Sequence, residues 1–317
     1  MNLPQAAAAG AALQQGLEAP AVLPPAPASV FADRAARFER LADGHASGDW
    51  LAFLARLTRT QHALLQNHPP ADLPSGTARA LALSHGMPAL PANGWRRNPV
   101  WRRHLAALAE GLQTQAPEVL RPVLAGLPAI GEAELERLAD GVLRTEYDPA
   151  HSARLPFVAA ALQVYWTWMA AQPALAGLAR LDVPGVCPCC GSLPVASVIQ
   201  AGQYAGVRYL HCSLCNTEWN LVRANCTSCG ETDKVSYRVL EGAGGGAPNG
   251  IVRAEVCDHC HGYLKQMRRD KDASADPVAD DLATLALDIL VDEAGYLRGG
   301  PNPLFIPGSA GEHRPGP

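Results

Sequence analysis

Four pairs of closely spaced cysteines dominate the second half of this 317-residue sequence. The pairs are Cys187/Cys190, Cys212/Cys215, Cys226/Cys229 and Cys257/Cys260. Each pair forms a C-x2-C knuckle, a tight turn that points two thiolates to one side, where backbone N–H groups support them. Because one metal ion takes four thiolates at about 2.3 Å, four knuckles predict two four-cysteine sites. All eight cysteines are therefore candidate metal ligands.

The spacing between the four knuckles indicates how they pair. The first and second are separated by 21 residues and the third and fourth by 27, whereas 10 residues separate the second from the third. Each long gap contains β-branched and aromatic residues that predict a hairpin, and a hairpin brings together the knuckles at its two ends. We therefore expect the first knuckle to share a site with the second, and the third with the fourth. A cross-braced arrangement, first with third and second with fourth, is the alternative.

The ligand set limits both the metal and the chemistry. Four thiolates in a tetrahedron suit zinc or a mononuclear iron of the rubredoxin type, and geometry does not separate these two metals. A site filled by four protein ligands leaves no open coordination position, so metal-centred hydrolysis is not expected. The sequence contains no phosphate loop, nucleophile elbow or metalloprotease helix motif. We expect a protein that is not an enzyme, with no catalytic residues.

The residues that flank the ligands have subordinate expected roles. Cys189, the ninth cysteine, is interpreted as a bystander in the first knuckle; a ligand swap, a reactive thiol and a redox-linked homodimer are the alternatives. His211, His259 and His261 lie beside ligand cysteines, and we expect them to support the sites or to be exposed. Three glycines lie one or two residues after the second cysteine of a knuckle, where a tight turn favours glycine. They are Gly191, Gly230 and Gly262.

The first half of the chain has helical periodicity. Alanine and leucine are abundant and aromatic residues make up 6% of the chain, which favours helices. Helices are predicted to start near Ser29, Asp49 and Pro99, and to cover 118–127, 132–145 and 152–171. Between the second and third of these, a loop rich in Pro and Gly is expected from His68 to Asn98.

From residue 184 the pattern changes to short β-strands. Strands are predicted at 193–199 and 206–211, at 219–223, and at 235–240 and 251–256, with a flexible glycine-rich tip over 242–250. A last amphipathic helix is predicted at 278–293.

These patterns predict an α+β fold. An N-terminal all-α helical domain is followed by two small rubredoxin-like or zinc-ribbon β units with four-cysteine metal sites, and by a C-terminal helix. The expected division is a disordered Ala/Pro-rich tail at 1–28, the helical domain at 29–182, the first ribbon at 183–224, the second ribbon at 225–271, and the C-terminal helix and tail at 272–317.

The sequence favours a cytoplasmic protein without stable membrane insertion. Residues 155–179 carry no charge and are long enough to span a bilayer, but Gln163, Gln172 and Pro173 favour a buried core helix. Residues 1–30 contain no lysine or arginine, which fits neither a secretory signal nor a transit peptide. A reducing compartment keeps thiols free for metal.

Nucleic-acid binding is disfavoured by charge. The formal net charge is −4, so the chain as a whole offers no basic field. One cluster of arginines and tryptophans is interpreted as a solvated helix start rather than a stacking surface. It consists of Trp95, Arg96, Arg97, Trp101, Arg102 and Arg103. Tyr165, Trp166 and Trp168 are expected in a core or docking face.

Four stretches of sequence carry a resemblance to a known family. They are CPCCGSLPVASVI from Cys187, YLHCSLCNTEWNLVRANCTSCGE from Tyr209, EVCDHCHGYLK from Glu255 and DDLATLALDILVDEAGYLRGGPNPL from Asp280. In these stretches the chain resembles the FdhE family, the accessory proteins of formate dehydrogenase. The resemblance covers most of the chain from about Phe31, closely in the second half and loosely in the first.

The resemblance implies a cytoplasmic maturation factor, comparable to a chaperone, that is required to assemble active respiratory, molybdenum-containing formate dehydrogenase. It implies contact with the catalytic subunit before export, and iron bound by rubredoxin-like cysteine sites, with the eight knuckle cysteines as ligands. A rubredoxin-like redox protein or a thiol oxidoreductase is the alternative, and a zinc-ribbon nucleic-acid-binding protein is a distant third.

Overall fold

The computed structural model of the chain describes residues 19–94, 96–240 and 250–306. The helices in these ranges are α1 (Val30–Ala42), α2 (Gly48–Gln66), α3 (Gly76–Ser84), α4 (Val100–Leu112), α5 (Arg121–Gly126), α6 (Glu132–Arg144), α7 (Leu155–Ala170), α8 (Ala279–Leu282) and α9 (Leu285–Glu293). The strands are β1 (Val22–Leu23), β2 (Pro194–Ile199), β3 (Arg208–Cys212), β4 (Glu218–Asn220), β5 (Val235–Arg238), β6 (Val252–Cys257), β7 (Gly262–Arg268) and β8 (Leu297–Arg298).

Helix α7 is the centre of the helical half. It is apolar around its circumference and nearly all of its residues are buried, because α2, α4 and α6 pack against it. The uncharged segment is thus a core helix, as its glutamines and proline predict. Over the described ranges, none of the helices has both the length and the apolar character needed to cross a bilayer.

The arginines at the start of α4 are paired with acidic residues of α6. Arg97 lies 2.6 Å from a carboxylate oxygen of Glu136 and 2.8 Å from one of Asp140. Trp101 is buried, and its indole N–H donates a 3.0 Å hydrogen bond to Glu136. The predicted solvated helix start is therefore wrong for these two residues, since both are held against α6. Trp95 lies outside the described residues.

The strands of both ribbons form one sheet. Its order is β1-β4-β3-β2-β7-β6-β5, with β8 beside β7. The predicted hairpins are present as the antiparallel pairs β2/β3 and β5/β6. The two ribbons are joined by a parallel pairing of β2 with β7, in which Ser197 faces Gln266. Together with the helical half and the two cysteine clusters, this sheet confirms the predicted α+β fold class.

A buried carboxylate ties the two ribbons together. Glu255 on β6 lies 2.7 Å from the guanidinium of Arg208 on β3. It also accepts hydrogen bonds of 2.6 Å from Ser197 and 2.5 Å from Gln266. Because a buried charge is stable only when it is paired and fully hydrogen-bonded, this group couples β6 to three other strands of the sheet, β2, β3 and β7.

The N-terminal helix is fastened to the C-terminal segment by ion pairs. Buried Arg34 on α1 lies 3.0 Å from Asp276, and Arg37 lies 2.5 Å from Asp280 and 2.7 Å from Asp272. Residues from opposite ends of the sequence thus close the fold.

Two segments without predicted structure are ordered. The expected loop between α2 and α4 contains α3, whose N-terminus is capped by the Ser75 hydroxyl, 3.1 Å from the Ala78 nitrogen. The expected disordered tail at 1–28 does not hold for residues 19–28, because Val22–Leu23 pair with β4. The backbone oxygen of Pro20 also accepts a 2.6 Å hydrogen bond from Tyr209. Residues 1–18 and 241–249 lie outside the described residues.

Two further elements differ from expectation. Strand β7 lies where no strand was predicted. The predicted helix 278–293 is broken between α8 and α9, where the Thr284 hydroxyl donates 2.8 Å to the backbone oxygen of Asp280. The ammonium of Lys265 also donates 2.8 Å to the backbone oxygen of Asp281. These bonds satisfy carbonyls at the end of α8, so the helix stops there.

Candidate metal centres

The first two knuckles form a compact cluster of four sulfur atoms. The Sγ atoms of Cys187, Cys190, Cys212 and Cys215 all lie within 4.8 Å of one another. Cys187 and Cys215 are 3.7 Å apart, and Cys190 and Cys212 are 3.4 Å apart. In a tetrahedron with metal–sulfur distances of about 2.3 Å, neighbouring sulfurs lie about 3.8 Å apart. The cluster therefore has the size that a four-thiolate zinc or iron site requires.

The last two knuckles form a second cluster of the same size. The Sγ atoms of Cys226, Cys229, Cys257 and Cys260 also lie within 4.8 Å of one another. The distances are 3.7 Å between Cys226 and Cys260 and 3.8 Å between Cys229 and Cys257. The structure thus brings the knuckles together in the sequential pairs, first with second and third with fourth. All nine cysteines are free of disulfide bonds.

The residue after the second cysteine of each knuckle has a left-handed backbone conformation. Gly191 has φ of 82°, Asn216 58°, Gly230 78° and His261 53°. Glycine adopts this conformation at no steric cost, and asparagine and histidine are among the side chains that tolerate it best. The expectation for Gly262 is wrong, because His261 makes the fourth turn. Gly262 is needed for space instead, since a Cβ there would lie 3.2 Å from the Cys260 sulfur.

The first cluster lies inside the main hydrophobic core. All four of its cysteines are buried, and they pack with residues of the helical half. Segment 89–92, between α3 and α4, covers the first knuckle by hydrogen bonds: Leu90 and Ala92 donate 2.8 Å bonds to the backbone oxygens of Cys189 and Cys190. Gln163 of α7 donates 2.8 Å to the backbone oxygen of Ser213 in the second knuckle. The first cluster is therefore a junction between the helices and the sheet.

The second cluster lies at the surface. Cys229 and Cys260 are exposed, whereas Cys226 and Cys257 are buried. Burial raises the pKa of the Cys226 thiol, whereas at Cys257 backbone N–H groups of the knuckle and the neighbouring cysteines outweigh burial and lower the pKa. Two of its four candidate ligand residues are thus exposed to solvent.

Burial disfavours the thiolate form of two cysteines in the first cluster when no cation is present. It is the largest influence on Cys187 and Cys212, and it raises the pKa of both thiols well above the ordinary value of 9.0. Four buried thiolates without a positive charge among them would repel one another in a medium that solvates them poorly. A divalent ion removes this penalty, because it binds the thiolates and releases their protons. Zinc or iron therefore suits this donor set, and the cluster itself favours metal-bound thiolates.

Cys189 has a supporting position. It is 1% exposed, and its thiol hydrogen-bonds with Cys215; this bond and burial raise the pKa of Cys189 well above 9.0. A protonated thiol beside a metal-bound thiolate donates a hydrogen bond to it, whereas a reactive thiol requires a lowered pKa and access to solvent. The bystander interpretation therefore fits better than the reactive one. An intermolecular disulfide through Cys189 would require the first knuckle to open.

The flanking histidines are not placed as ligands. His211 is buried, and its ring nitrogens lie 3.0 Å from Glu218 and 3.1 Å from the side-chain oxygen of Asn216. This bonding holds the second knuckle turn in place. His259 and His261 are exposed beside the second cluster.

Three family models match the chain over most of its length. The model "FdhE, N-terminal" matches residues 19–180, "FdhE, central domain" matches 186–223, and "FdhE, C-terminal domain" matches 224–305. The matched region begins 12 residues before Phe31, so it includes β1 and extends the resemblance seen in the sequence.

Curated relatives and a solved structure agree with these matches. A "Protein FdhE homolog" of Edwardsiella ictaluri is 42% identical over 281 residues, which cover 88% of this chain and 89% of the relative. A "Protein FdhE homolog" of Haemophilus influenzae is 38% identical over 291 residues, which cover 92% of this chain and 93% of the relative. The crystal structure of the FdhE protein from Pseudomonas aeruginosa superposes with a TM-score of 0.80 at 37% identity, covering 92% of this chain and all of that chain.

Proposed function

This chain belongs to the FdhE family, and on that premise we propose that it is an accessory factor in the maturation of respiratory formate dehydrogenase. In this proposal each four-cysteine cluster binds one ion of iron or zinc, and the protein acts in the cytoplasm on the catalytic subunit before export. The observation that carries the proposal is the pair of four-sulfur clusters, whose dimensions suit metal ions with no vacant coordination position. Sites of this kind support structure, sensing or metal donation rather than hydrolysis.

The docking surface that we propose lies beside the second cluster. We define it as the exposed apolar side chains of segment 285–298, which are Ile289 (60% exposed), Leu290 (51%) and Leu297 (67%). Strand β8 places Leu297 next to the fourth knuckle, since the Leu297 nitrogen donates 2.7 Å to the backbone oxygen of His261. Exposed apolar side chains grouped in one segment are typical of protein interaction sites.

The chemistry of this surface suggests what the partner presents. Asp292 and Glu293 are exposed on the same helix, so the surface is apolar with an acidic margin. A complementary face on the catalytic subunit would be apolar with basic residues at its edge. Docking there would bring the client against the exposed cysteines of the second cluster, Cys229 and Cys260.

Co-purification with the catalytic subunit tests this proposal. Tagged catalytic subunit is prepared in two forms, an immature form without its cofactors and the mature form. Each form is mixed with the metal-loaded protein under anaerobic conditions. We expect the immature subunit to retain the protein, and the double variant Ile289→Asp/Leu297→Asp to bind at least about tenfold more weakly. Val119→Asp, which changes an exposed apolar residue (78% exposed) of the helical half, is the matched control and should bind normally. No retention of the wild type by either form would refute the accessory role.

A redox function is the second candidate, and the exposure of Cys229 and Cys260 favours it. An exposed thiolate site that holds iron can exchange electrons with a partner. This function predicts a visible thiolate-to-iron absorption that bleaches on reduction and returns on oxidation. A colourless protein with zinc in both sites would exclude it.

A further inference from the structure

The two clusters have the same ligands but opposite surroundings. Around the first cluster, segment 89–92 adds main-chain hydrogen bonds to the first knuckle, and Gln163 reaches the second knuckle from α7. Its four cysteines belong to the main core. Around the second cluster, Cys229 and Cys260 face solvent, and none of its four cysteines belongs to that core.

Exchange of a metal ion from four thiolates requires access to the sulfurs. An incoming ligand must reach the metal, and each departing thiolate must take up a proton or bind elsewhere. At the second site this can proceed from the folded state through the two exposed cysteines, Cys229 and Cys260. At a site covered by packed helices it must wait for a local opening, which is rare when core contacts have to break.

We propose that the two sites therefore have different roles: the first is a permanent joint between helices and sheet, and the second exchanges its metal. This inference rests on the proposed function, because it assumes that both clusters bind metal. The class of exchange partner is a thiolate- or nitrogen-donor ligand, either a small chelator or cysteine and histidine side chains of a docked protein. The second site is then the one that takes up, senses or passes on metal at the docking surface.

Competition with a chelator tests the inference on the full chain. The protein is loaded with zinc, its zinc content is measured, and an excess of the chromogenic chelator 4-(2-pyridylazo)resorcinol is added. We expect one equivalent of zinc to leave in a fast phase and the second at least about tenfold more slowly. Release of two equivalents in one phase would overturn the inference of different roles, but it would still agree with two zinc-binding sites. A loaded protein that holds fewer than two zinc ions would instead count against the proposed metal sites.

The phases are assigned by alkylation of the same wild-type sample. N-ethylmaleimide is added during the fast phase, and modified cysteines are located by mass spectrometry after digestion. Labels on Cys229 and Cys260 before any on Cys187 or Cys212 support the assignment, and the reverse order overturns it. This measurement needs no variant and so does not depend on a substituted protein folding.

A substitution near the first cluster assigns the two phases of zinc release in a second way. Gln163→Leu removes the hydrogen bond from α7 to Ser213, so it should accelerate the slow phase and leave the fast one unchanged. Gln115→Leu, the same substitution at an exposed position after α4, is the matched control and should leave both phases unchanged. Acceleration of the fast phase alone by Gln163→Leu would assign the covered site as the labile one and overturn the inference.

Discussion

The side-chain amide of Gln163 donates a 2.8 Å hydrogen bond to the backbone oxygen of Ser213, which directly follows Cys212 of the first cluster. The same glutamine accepts a 3.0 Å bond from the amide of Gln61 on α2. All of these atoms are buried, so a polar chain runs from the helical half into the metal-binding knuckle. The proposed permanence of the first site depends on this connection.

Gln163→Leu is predicted to destabilise the metal-loaded protein by about 1–3 kcal/mol, because it leaves the Ser213 oxygen buried without a partner. Urea unfolding at neutral pH measures the change. Gln115→Leu, which replaces an exposed glutamine after α4, should change the free energy of unfolding by less than about 0.5 kcal/mol. Equal effects of the two substitutions would contradict the role given to Gln163.

The knuckle glycines Gly191 and Gly230 provide a matched pair of substitutions. Both have positive φ, so alanine is strained at either position by about 1–2 kcal/mol. At Gly230 the added Cβ meets open space, whereas at Gly191 it lies 3.0 Å from the ring of Pro88. Gly191→Ala is therefore predicted to lower the free energy of unfolding more than Gly230→Ala. A smaller loss for Gly191→Ala would show that the first knuckle is not packed as described.

Part of this architecture follows from the sequence alone. The C-x2-C spacing predicts the two clusters because a knuckle fixes its sulfurs locally, and a hairpin between two knuckles is also a local structure. These two local structures, the knuckle and the hairpin, are enough to predict the sequential pairing of the four knuckles. Asn216 and His261 carry a weaker sequence signal of the same turn, since they occupy the position that Gly191 and Gly230 mark in the other knuckles.

The elements that were missed depend on partners far along the chain. Strand β7 contains Lys265 and Gln266, whose polar side chains argue against a buried strand. In the fold Lys265 lies 3.2 Å from the carboxylate of Asp281, and Gln266 donates to Glu255. Neither pairing can be recognised from local pattern, so the parallel join between the ribbons could not be predicted.

The short helix α3 was missed for a different reason. None of its residues is buried, so it lacks the apolar stripe by which an amphipathic helix is recognised. Its cap by Ser75 was the available signal, but the surrounding prolines and glycines favoured a loop. Helix α3 leads into segment 89–92, which covers the first cluster. A helix without an apolar stripe thus precedes this segment.

The ion pair between Arg37 and Asp272 predicts a pH dependence of stability. Burial alone would raise the pKa of Asp272, but bonds from Ser274 and Arg37 outweigh it and lower the pKa from 3.8 to about 2. A carboxyl with a depressed pKa in the folded state stabilises the protein fully above pH 3.8, and this contribution is lost as the pH falls toward 2. Its size is on the order of 1 kcal/mol after solvent screening.

Asp272→Asn should therefore be less stable than the wild type at pH 7, with a difference that shrinks as the pH falls from about 5 to about 3. Thermal unfolding of both proteins at each pH measures the difference, so that acid-induced metal loss common to both cancels. Asp182→Asn, at an exposed position, is the control and should follow the wild type throughout. A difference that stays constant with pH would exclude Asp272 as its source.

Both proposals require that the chain hold one metal ion in each four-cysteine cluster. Native mass spectrometry of protein purified without oxygen tests it most directly, because the mass gives both the identity and the number of bound ions. We expect two ions of zinc or iron per chain, and one ion after Cys226→Ser/Cys229→Ser, with the first site still filled. A wild-type chain that carries no metal, or whose knuckle cysteines are joined by disulfides when isolated, would contradict it.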